Sequence, residues 1–254
     1  MKIKVGVSTS LRPWNPAEVF RLAEKYGLGV ELVVFRWQTL AFWQRLRKKF
    51  PSVEILGVHA PFCGNYSQYW SNITADNLTI AQRIMQTVWP ILMSDVRGNP
   101  AVRIVNEFGC PLIMHPKAFL GSKVQLPKNT LLENPAAYED GGMYTLESFM
   151  ALAEKYGLGT VFDLEHAVIP PGEWDIVKSF RILDSRYIHF SDYKDHNEHL
   201  IPGEGEVDFT GLINAIKGQG NDTAIIIELK PYKNSEEALY ETFTFLGKKF
   251  AGYF

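Results

Sequence analysis

Cysteine is scarce in this sequence, and neither a dominant charge sign nor a long hydrophobic run is present. The 254 residues include two cysteines, Cys63 and Cys110, without CxxC spacing, which excludes a disulfide framework and a thiolate zinc knuckle. Lysine and arginine total 26 against 28 acidic residues, so the net charge of −2 provides no basic field for a nucleic acid or an anionic membrane. A polyanionic partner is therefore disfavoured.

Signals for membrane insertion and secretion are also missing. No window approaches the roughly 18 uninterrupted apolar residues of a membrane span, and the N-terminal MKIKVGVSTS has the pattern of a strand. We therefore expect a cytoplasmic protein without a membrane partner. Because no low-complexity tract, charge block or linker interrupts the chain, one domain is predicted over residues 1–254.

Short β-rich segments alternate along the chain with longer segments of helical periodicity. Most of the β-rich segments are apolar at successive positions, which is typical of parallel strands that are covered on both faces. Eight such strands in about 250 residues predict a (β/α)8 barrel, an α/β fold. The alternative is a doubly wound open sheet, but no glycine-rich phosphate fingerprint follows the first strand. The predicted strands are residues 3–8, 30–35, 54–59, 111–115, 130–133, 160–163, 187–190 and 224–228.

The octapeptide LAEKYGLG occurs twice, at residues 22–29 and 152–159, and the two copies are close to half the chain apart. In each copy, a lysine in the last helical turn and a glycine after it predict the end of a helix and a short lead into a strand. Two origins remain open: duplication of a half-barrel and convergence on a favourable turn. Both place helices before the second and sixth strands.

Two connections depart from a regular barrel. Pro116, Gly121 and Pro127 leave little room for a helix between the fourth and fifth strands, so the fourth helix is predicted to be short or missing. The segment 64–109 is long and begins with the polar and aromatic sequence GNYSQYWSN. We expect this loop to lie over the barrel mouth and one long or two shorter helices to follow it.

Histidines and carboxylates occur where the predicted strands end or in the turns that follow. Because the carboxyl ends of barrel strands meet at one mouth, these side chains are expected to share one space. Buried imidazoles and carboxylates at this density lose solvation and repel one another unless a cation neutralises them. The sequence therefore predicts a divalent metal site, and its oxygen and nitrogen ligands suit Mn, Mg, Co, Fe or Zn. The eight residues are His59, His115, Glu133, Asp163, His166, His189, His199 and Glu228.

Other catalytic chemistries fit the sequence less well. No GxSxG nucleophile elbow is present for a Ser-His-Asp hydrolase, and Cys63 lies on the same turn as His59, which makes a Cys-His pair improbable. Glu133 and Glu228 fit the two carboxylates of a glycosidase, but this function leaves the surrounding histidines without a role.

A series of short motifs covers most of the chain: GVEL at 29–32, VHAP at 58–61, HP at 115–116, LEN at 132–134, FDLEH at 162–166, IHFSD at 188–192, PGEG at 202–205 and IE at 227–228. Each motif is weak alone. In this order they resemble the xylose isomerase-like barrel superfamily, which contains sugar isomerases and epimerases together with the endonuclease IV type of apurinic endonuclease.

The resemblance to the epimerase branch implies an enzyme that acts on a sugar or sugar phosphate through an enediolate and binds one Mn, Zn, Co or Mg ion. The implied metal ligands are Glu133, Asp163, His189 and Glu228. In this branch the two glutamates, here Glu133 and Glu228, are also the catalytic acid and base. The implied substrate-binding residues are His166 and His199. Lys230 lies two residues beyond Glu228, on the same side of the strand by the period of two, and is a further candidate for binding an anionic group of the substrate.

The resemblance to the endonuclease branch implies instead two or three zinc ions and an abasic-site DNA substrate. This branch adds His59, His115, His166 and His199 to the ligands. Its Asp-x-His motif here reads Asn197-Glu-His199, and an amide is a poorer zinc ligand than a carboxylate, which puts one zinc ligand in doubt. Asp195 and His196 are the neighbouring substitutes.

DNA repair also requires basic and wedge-forming groups at the mouth, for which Arg36, Trp37, Phe62 and the loop 64–72 are candidates. The balanced charge, Asn197 and the lack of Lys or Arg in that loop favour the isomerase or epimerase as the primary hypothesis. The abasic-site phosphoesterase is the alternative, and a barrel that binds a metal or sugar without turnover is the third. The sequence leaves open whether copies associate into a homo-oligomer.

Overall fold

Eight parallel strands form a closed barrel in the computed structural model, which describes residues 1–35, 38–60, 100–122, 125–135, 145–168, 174–195, 197–231 and 235–254. The strands are β1 (Ile3–Ser8), β2 (Gly29–Val33), β3 (Ile55–His59), β4 (Leu112–Met114), β5 (Thr130–Glu133), β6 (Gly159–Asp163), β7 (Tyr187–Phe190), β8 (Asp192–Lys194), β9 (Asn197–Leu200) and β10 (Thr223–Ile227). The barrel order is β1-β10-β7-β6-β5-β4-β3-β2, and β8 and β9 form a separate antiparallel pair. The predicted (β/α)8 fold is confirmed.

Helices connect successive strands of the barrel. They are α1 (Pro16–Tyr26), α2 (Leu40–Lys49), α3 (Pro100–Phe108), α4 (Pro116–Leu120), α5 (Leu146–Tyr156), α6 (Leu164–Val168), α7 (Ile176–Leu183), α8 (Phe209–Gln219) and α9 (Ser235–Lys249), with a 3-10 turn at Thr9–Leu11. As predicted, α4 is short. It has five residues, beginning with Pro116, and Gly121 caps its end. None of the described helices has the length and apolar character of a membrane span.

Three predicted strands, at residues 3–8, 130–133 and 187–190, match the observed bounds, and the other five shift at their ends. The second strand was predicted to reach Phe35 but ends at Val33. The N–H of Phe35 donates to Oε1 of Gln38 (2.8 Å), a side chain of its own loop, so the hydrogen-bond ladder does not continue to it. His115 and Glu228 likewise lie one residue beyond β4 and β10.

A small apolar cluster, distinct from the larger core, connects five strands of the barrel. Its buried members are Leu56, Ile113, Val161, Tyr187 and Ile226. Side chains two residues apart on a strand point to the same face, so the residues two positions further on also face the barrel interior, nearer its carboxyl end. For four of these strands, the residues in that position are His115, Asp163, His189 and Glu228. The apolar layer therefore forms the floor under the predicted site.

Both copies of the octapeptide end a helix in the same way. Gly27 and Gly157 have φ values of 67° and 63°, and the next residue, Leu28 or Leu158, donates its N–H to the carbonyl of Ala23 or Ala153. This left-handed cap favours glycine because other residues are strained there. The copies precede β2 and β6, as predicted, and these strands are four positions apart in either direction around the barrel.

Several sequence hypotheses concern residues outside the described ranges. These are the basic and wedge-forming candidates Arg36, Trp37 and Phe62, the loop 64–72, most of the segment predicted to contain helices, and Cys63 and His196. Within that segment, the described part is α3. Cys110 is buried and has no disulfide partner among the described residues.

Candidate metal centre

Six of the eight predicted ligands lie at the carboxyl ends of barrel strands, whereas His166 is in α6 and His199 is on β9. None of the eight is more than 9% exposed. Among the described residues, three groups of donors have ligand atoms within 4.8 Å of one another, and two of these groups consist entirely of predicted ligands. We name the first the tetrad, and it consists of Glu133, Asp163, His189 and Glu228. We name the second the histidine group, and it consists of His59, His115 and Glu133. The structure therefore brings six of the eight residues into two groups that share one glutamate.

The carboxylate of Glu133 connects these groups because its two oxygens face in different directions. Oε1 is 2.7 Å from Nδ1 of His189, in the tetrad. Oε2 is 2.7 Å from Nε2 of His59 and 2.9 Å from Nε2 of His115, in the histidine group. A carboxylate in this position has one oxygen available for a cation in each group.

The ionisation of the tetrad reflects the burial of opposite charges. Burial raises the pKa of Glu133, but His115, His189 and His59 outweigh this effect and hold the pKa well below its ordinary value. Burial lowers the pKa of His189, but Glu31, Glu133 and Glu228 raise it well above the ordinary value. His189 and His199 outweigh burial at Glu228 and lower the pKa of that carboxyl to about 2. Both glutamates are therefore carboxylates at neutral pH.

The outer ring nitrogens of two histidines contact backbone carbonyls of the protein. Nδ1 of His59 donates to the carbonyl of Ala60 (2.9 Å), and Nδ1 of His166 donates to the carbonyl of Asn134 (2.8 Å). A neutral imidazole that donates from one nitrogen accepts at the other. Nε2 of His59 then faces Oε2 of Glu133, and two acceptors at this distance require a proton or a cation between them. The donor set therefore fits a divalent metal, whose histidine ligands usually donate their outer N–H in this way.

Asn134 holds Asp163 in place. Its Oδ1 accepts the N–H of Asp163 (2.6 Å), and its Nδ2 donates to the Asp163 carbonyl (2.9 Å). Asp163 Oδ1 accepts the N–H of His166 (2.8 Å), while Oδ2 lies 3.4 Å from Nδ1 of His189. The sequence motif LEN contained Asn134, but we predicted no role for it.

A third group of donors, Glu165, Glu198 and His199, lies next to the tetrad. Glu165 is fully buried, and its Oε2 accepts hydrogen bonds from Ser191 Oγ–H (2.8 Å) and from the N–H of His199 (2.7 Å). His199 has a left-handed backbone, with φ 54°. Of these three residues, His199 alone was predicted from the sequence.

Two predicted residues lie apart from the donor groups. His166 belongs to none of the three groups found among the described residues, although its Nδ1 is 3.8 Å from Oε1 of Glu133. Nζ of Lys230 donates to Oδ1 of Asn197 (2.6 Å). Asn197, which lies where the endonuclease motif has an aspartate, is thus in contact with Lys230.

The metal-free protein should lose stability between about pH 4.5 and 7 because of Glu165. Burial raises the pKa of this carboxyl from 4.5 to about 7, so in this window the folded protein keeps a proton that the unfolded chain has released. The free energy of unfolding therefore falls as the pH rises, by at most roughly 3 kcal/mol. Glu165→Gln removes this contribution to the pH dependence of stability, because an amide does not titrate. We expect urea unfolding with chelator to show a free energy of unfolding for the variant that is higher, relative to wild type, at pH 8 than at pH 5. The same difference in free energy between variant and wild type at both pH values would contradict the assignment.

The family model described as xylose isomerase-like TIM barrel matches residues 126–249, which confirms the resemblance seen in the sequence motifs. This range contains the whole tetrad and the third group. Among curated proteins, the sequence finds no match.

Solved structures of similar fold include epimerases and a nuclease-family protein. The 3-keto-D-glucoside 4-epimerase from E. coli is 14% identical with a TM-score of 0.63, over 97% of this chain and 100% of that one. An L-ribulose 3-epimerase is 13% identical with a TM-score of 0.64, over 97% and 94%. The family 2 AP endonuclease from Brucella melitensis is 16% identical with a TM-score of 0.59, over 94% and 96%. These similarities establish the fold.

Proposed function

We propose that the protein is a divalent-metal-dependent isomerase or epimerase of a sugar or sugar phosphate. The observation that carries this proposal is the tetrad, in which Glu133 and Glu228 approach Nδ1 of His189 to 2.7 and 3.0 Å. Three carboxylates and one imidazole suit Mn, Co, Mg or Zn. The epimerases of similar fold support this class of reaction.

The two glutamates of the tetrad are suited to move a proton. The tetrad would hold a divalent cation, which would supply Lewis-acid polarisation of a carbonyl and the adjacent hydroxyl of the substrate. Glu133 ends β5 and Glu228 follows β10, on separate sides of His189, and both are ionised at neutral pH. One carboxylate accepts the proton from the carbon next to the carbonyl and releases it to solvent. The other takes up a proton from solvent and returns it to carbon from the far side.

The charge around the described mouth favours a neutral polyol over a polyanion. Glu165, Glu198 and Glu204 lie close to the tetrad or to Lys230. Lys230 lies near Glu204 and Glu165, and its amine contacts Asn197. A DNA-binding site gains its affinity from several phosphate contacts with basic side chains. The balance of charge therefore supports a sugar, with Lys230 as the residue for a single phosphate.

The experiment is solvent deuterium exchange with a panel of keto sugars and their phosphates, after loading of the protein with Mn, Co, Mg or Zn. We expect deuterium at the carbon next to the carbonyl, at a rate that falls about 10²- to 10⁴-fold in Glu228→Gln. His59→Ala is the comparison variant because it keeps all four residues of the tetrad, and it should retain exchange. Absence of exchange with every sugar and metal would reject the proposal.

The histidine group favours a second candidate, an abasic-site phosphoesterase. Because Glu133 serves both groups, two cations could lie side by side, an arrangement used for in-line displacement at phosphorus. This candidate predicts cleavage of an abasic-site duplex, a steep fall in activity with salt, and loss of activity in His59→Ala. The same variant therefore separates the two candidates.

A further inference from the structure

A carboxylate inside the barrel contacts the histidine of the tetrad from below. Glu31 on β2 is fully buried, and its Oε2 accepts hydrogen bonds from the hydroxyl of Tyr187 (2.8 Å) and from Nε2 of His189 (3.0 Å). Tyr187 and His189 are both on β7, three positions from β2 around the barrel. These contacts therefore cross the barrel interior.

The two ring nitrogens of His189 have different surroundings. Nε2 faces Glu31, whereas Nδ1 lies 2.7 Å from Glu133, 3.0 Å from Glu228 and 3.4 Å from Asp163. An ionised carboxylate only accepts hydrogen bonds, so Glu31 stabilises a proton on Nε2. In the neutral ring, the lone pair is then on Nδ1 and points into the tetrad.

The neighbouring strand leaves room for this contact. Gly57 on β3 is the register partner of Glu31, and a Cβ atom at Gly57 would overlap the hydroxyl of Tyr187 and lie 2.7 Å from Cδ1 of Ile113. The missing side chain allows the tyrosine to reach Glu31. The contact thus involves three strands with suitable residues, rather than a chance approach of two side chains.

We propose that Glu31 is a positioning residue, which keeps a proton on Nε2 of His189 and so presents the Nδ1 lone pair to a divalent cation in the tetrad. Tyr187 holds Glu31 in the orientation that this role needs. The inference rests on the proposed metal-dependent function, and it adds a residue that does not itself contact the substrate or the metal. Such outer partners of a histidine ligand typically change metal affinity about 10- to 100-fold.

The test measures zinc binding rather than turnover. Zinc affinity is determined by competition with a chromophoric chelator, and the protonated nitrogen of His189 is identified by nitrogen NMR of histidine-labelled, zinc-loaded protein. In wild type we expect a proton on Nε2 and zinc on Nδ1. Glu31→Gln should bind zinc about 10- to 100-fold more weakly and lose the single proton position, and Tyr187→Phe should show a smaller loss of the same sign.

Thr242→Val is the matched control. Thr242 is fully buried in α9 and donates to the carbonyl of Ala238, so its loss lowers stability without touching His189. Unchanged zinc affinity and an unchanged Nε2 proton in both test variants would overturn the inference, as would a wild type that does not bind zinc. If Glu31→Gln fails to fold, Tyr187→Phe decides. Zinc on Nδ1 without any sugar exchange would reject the proposed function and leave the positioning role intact.

Discussion

Glu133→Gln should remove metal from both donor groups and abolish sugar exchange. An amide has one acceptor oxygen and no charge, whereas Glu133 faces His189 with one oxygen and His59 and His115 with the other. Changes in outer partners of a ligand already cost about 10- to 100-fold in metal affinity, so we expect a loss of at least about 100-fold for this ligand. Loss of its proton transfer should add roughly 10²- to 10⁴-fold to the fall in rate.

Metal per chain, measured by mass spectrometry after gel filtration, and deuterium exchange check this prediction. The depressed pKa of Glu133 contributes stability above its ordinary pKa of 4.5, and this contribution is lost as the pH falls below it. The variant should therefore be less stable at neutral pH, by about 3–5 kcal/mol, because buried imidazoles lose their partner. Assays are made where circular dichroism shows a folded protein.

Glu54→Gln is the control for Glu133→Gln. Glu54 is an exposed residue that pairs with Lys4 (2.6 Å) on the surface, so its replacement should change stability by no more than about 0.5 kcal/mol. Its metal content should equal that of wild type. A Glu133→Gln protein that keeps its metal and its exchange rate would place the reaction centre elsewhere.

Gly205→Ala should destabilise the loop that follows β9 and, with it, the whole protein. The loop is organised by Asp192, whose two carboxylate oxygens accept the backbone N–H groups of Tyr193, Gly203, Gly205 and Val207. A Cβ atom at Gly205 would overlap the Asp192 carboxylate and approach the carbonyl of Tyr193 to 2.6 Å. Either Asp192 or the loop must move, and we expect a cost of about 2–3 kcal/mol.

Gly218→Ala provides the matched control. Gly218 lies in α8, and a Cβ atom there meets nothing within 4 Å. Alanine has a higher helix propensity than glycine by up to about 1 kcal/mol, so this variant should be as stable as wild type or more stable. Chemical unfolding of the two variants measures the contrast. Equal stability of Gly205→Ala and Gly218→Ala would show that the Asp192 contacts do not hold the loop.

The fold could be predicted from the sequence because parallel barrel strands are buried on both faces and therefore appear as continuous apolar segments. The ligands could be predicted because they follow these segments directly. Ile226 faces the barrel interior, and the period of two places Glu228 above it. The shared role of Glu133 was not predicted, since it depends on which oxygen faces which strand.

The residues that act through another side chain could not be predicted. Glu31 is 158 residues from His189 in sequence, and their contact appears only when β2 and β7 face each other across the barrel. Glu165 lies in the FDLEH motif, but its importance depends on Ser191, in the turn after β7, and on the N–H of His199, on β9. The end of β2 was misplaced because the side chain of Gln38 competes for a backbone donor.

The repeated octapeptide has a consequence for how strand position is encoded. The same eight residues, ending in the left-handed Gly27 or Gly157 and a short lead, precede strands on opposite sides of the barrel. An identical connection cannot specify which of eight places the next strand takes. The strands themselves must therefore carry this information. In β2, Glu31 contacts Tyr187 and His189 of β7 across the barrel, whereas in β6 Asp163 is held by Asn134.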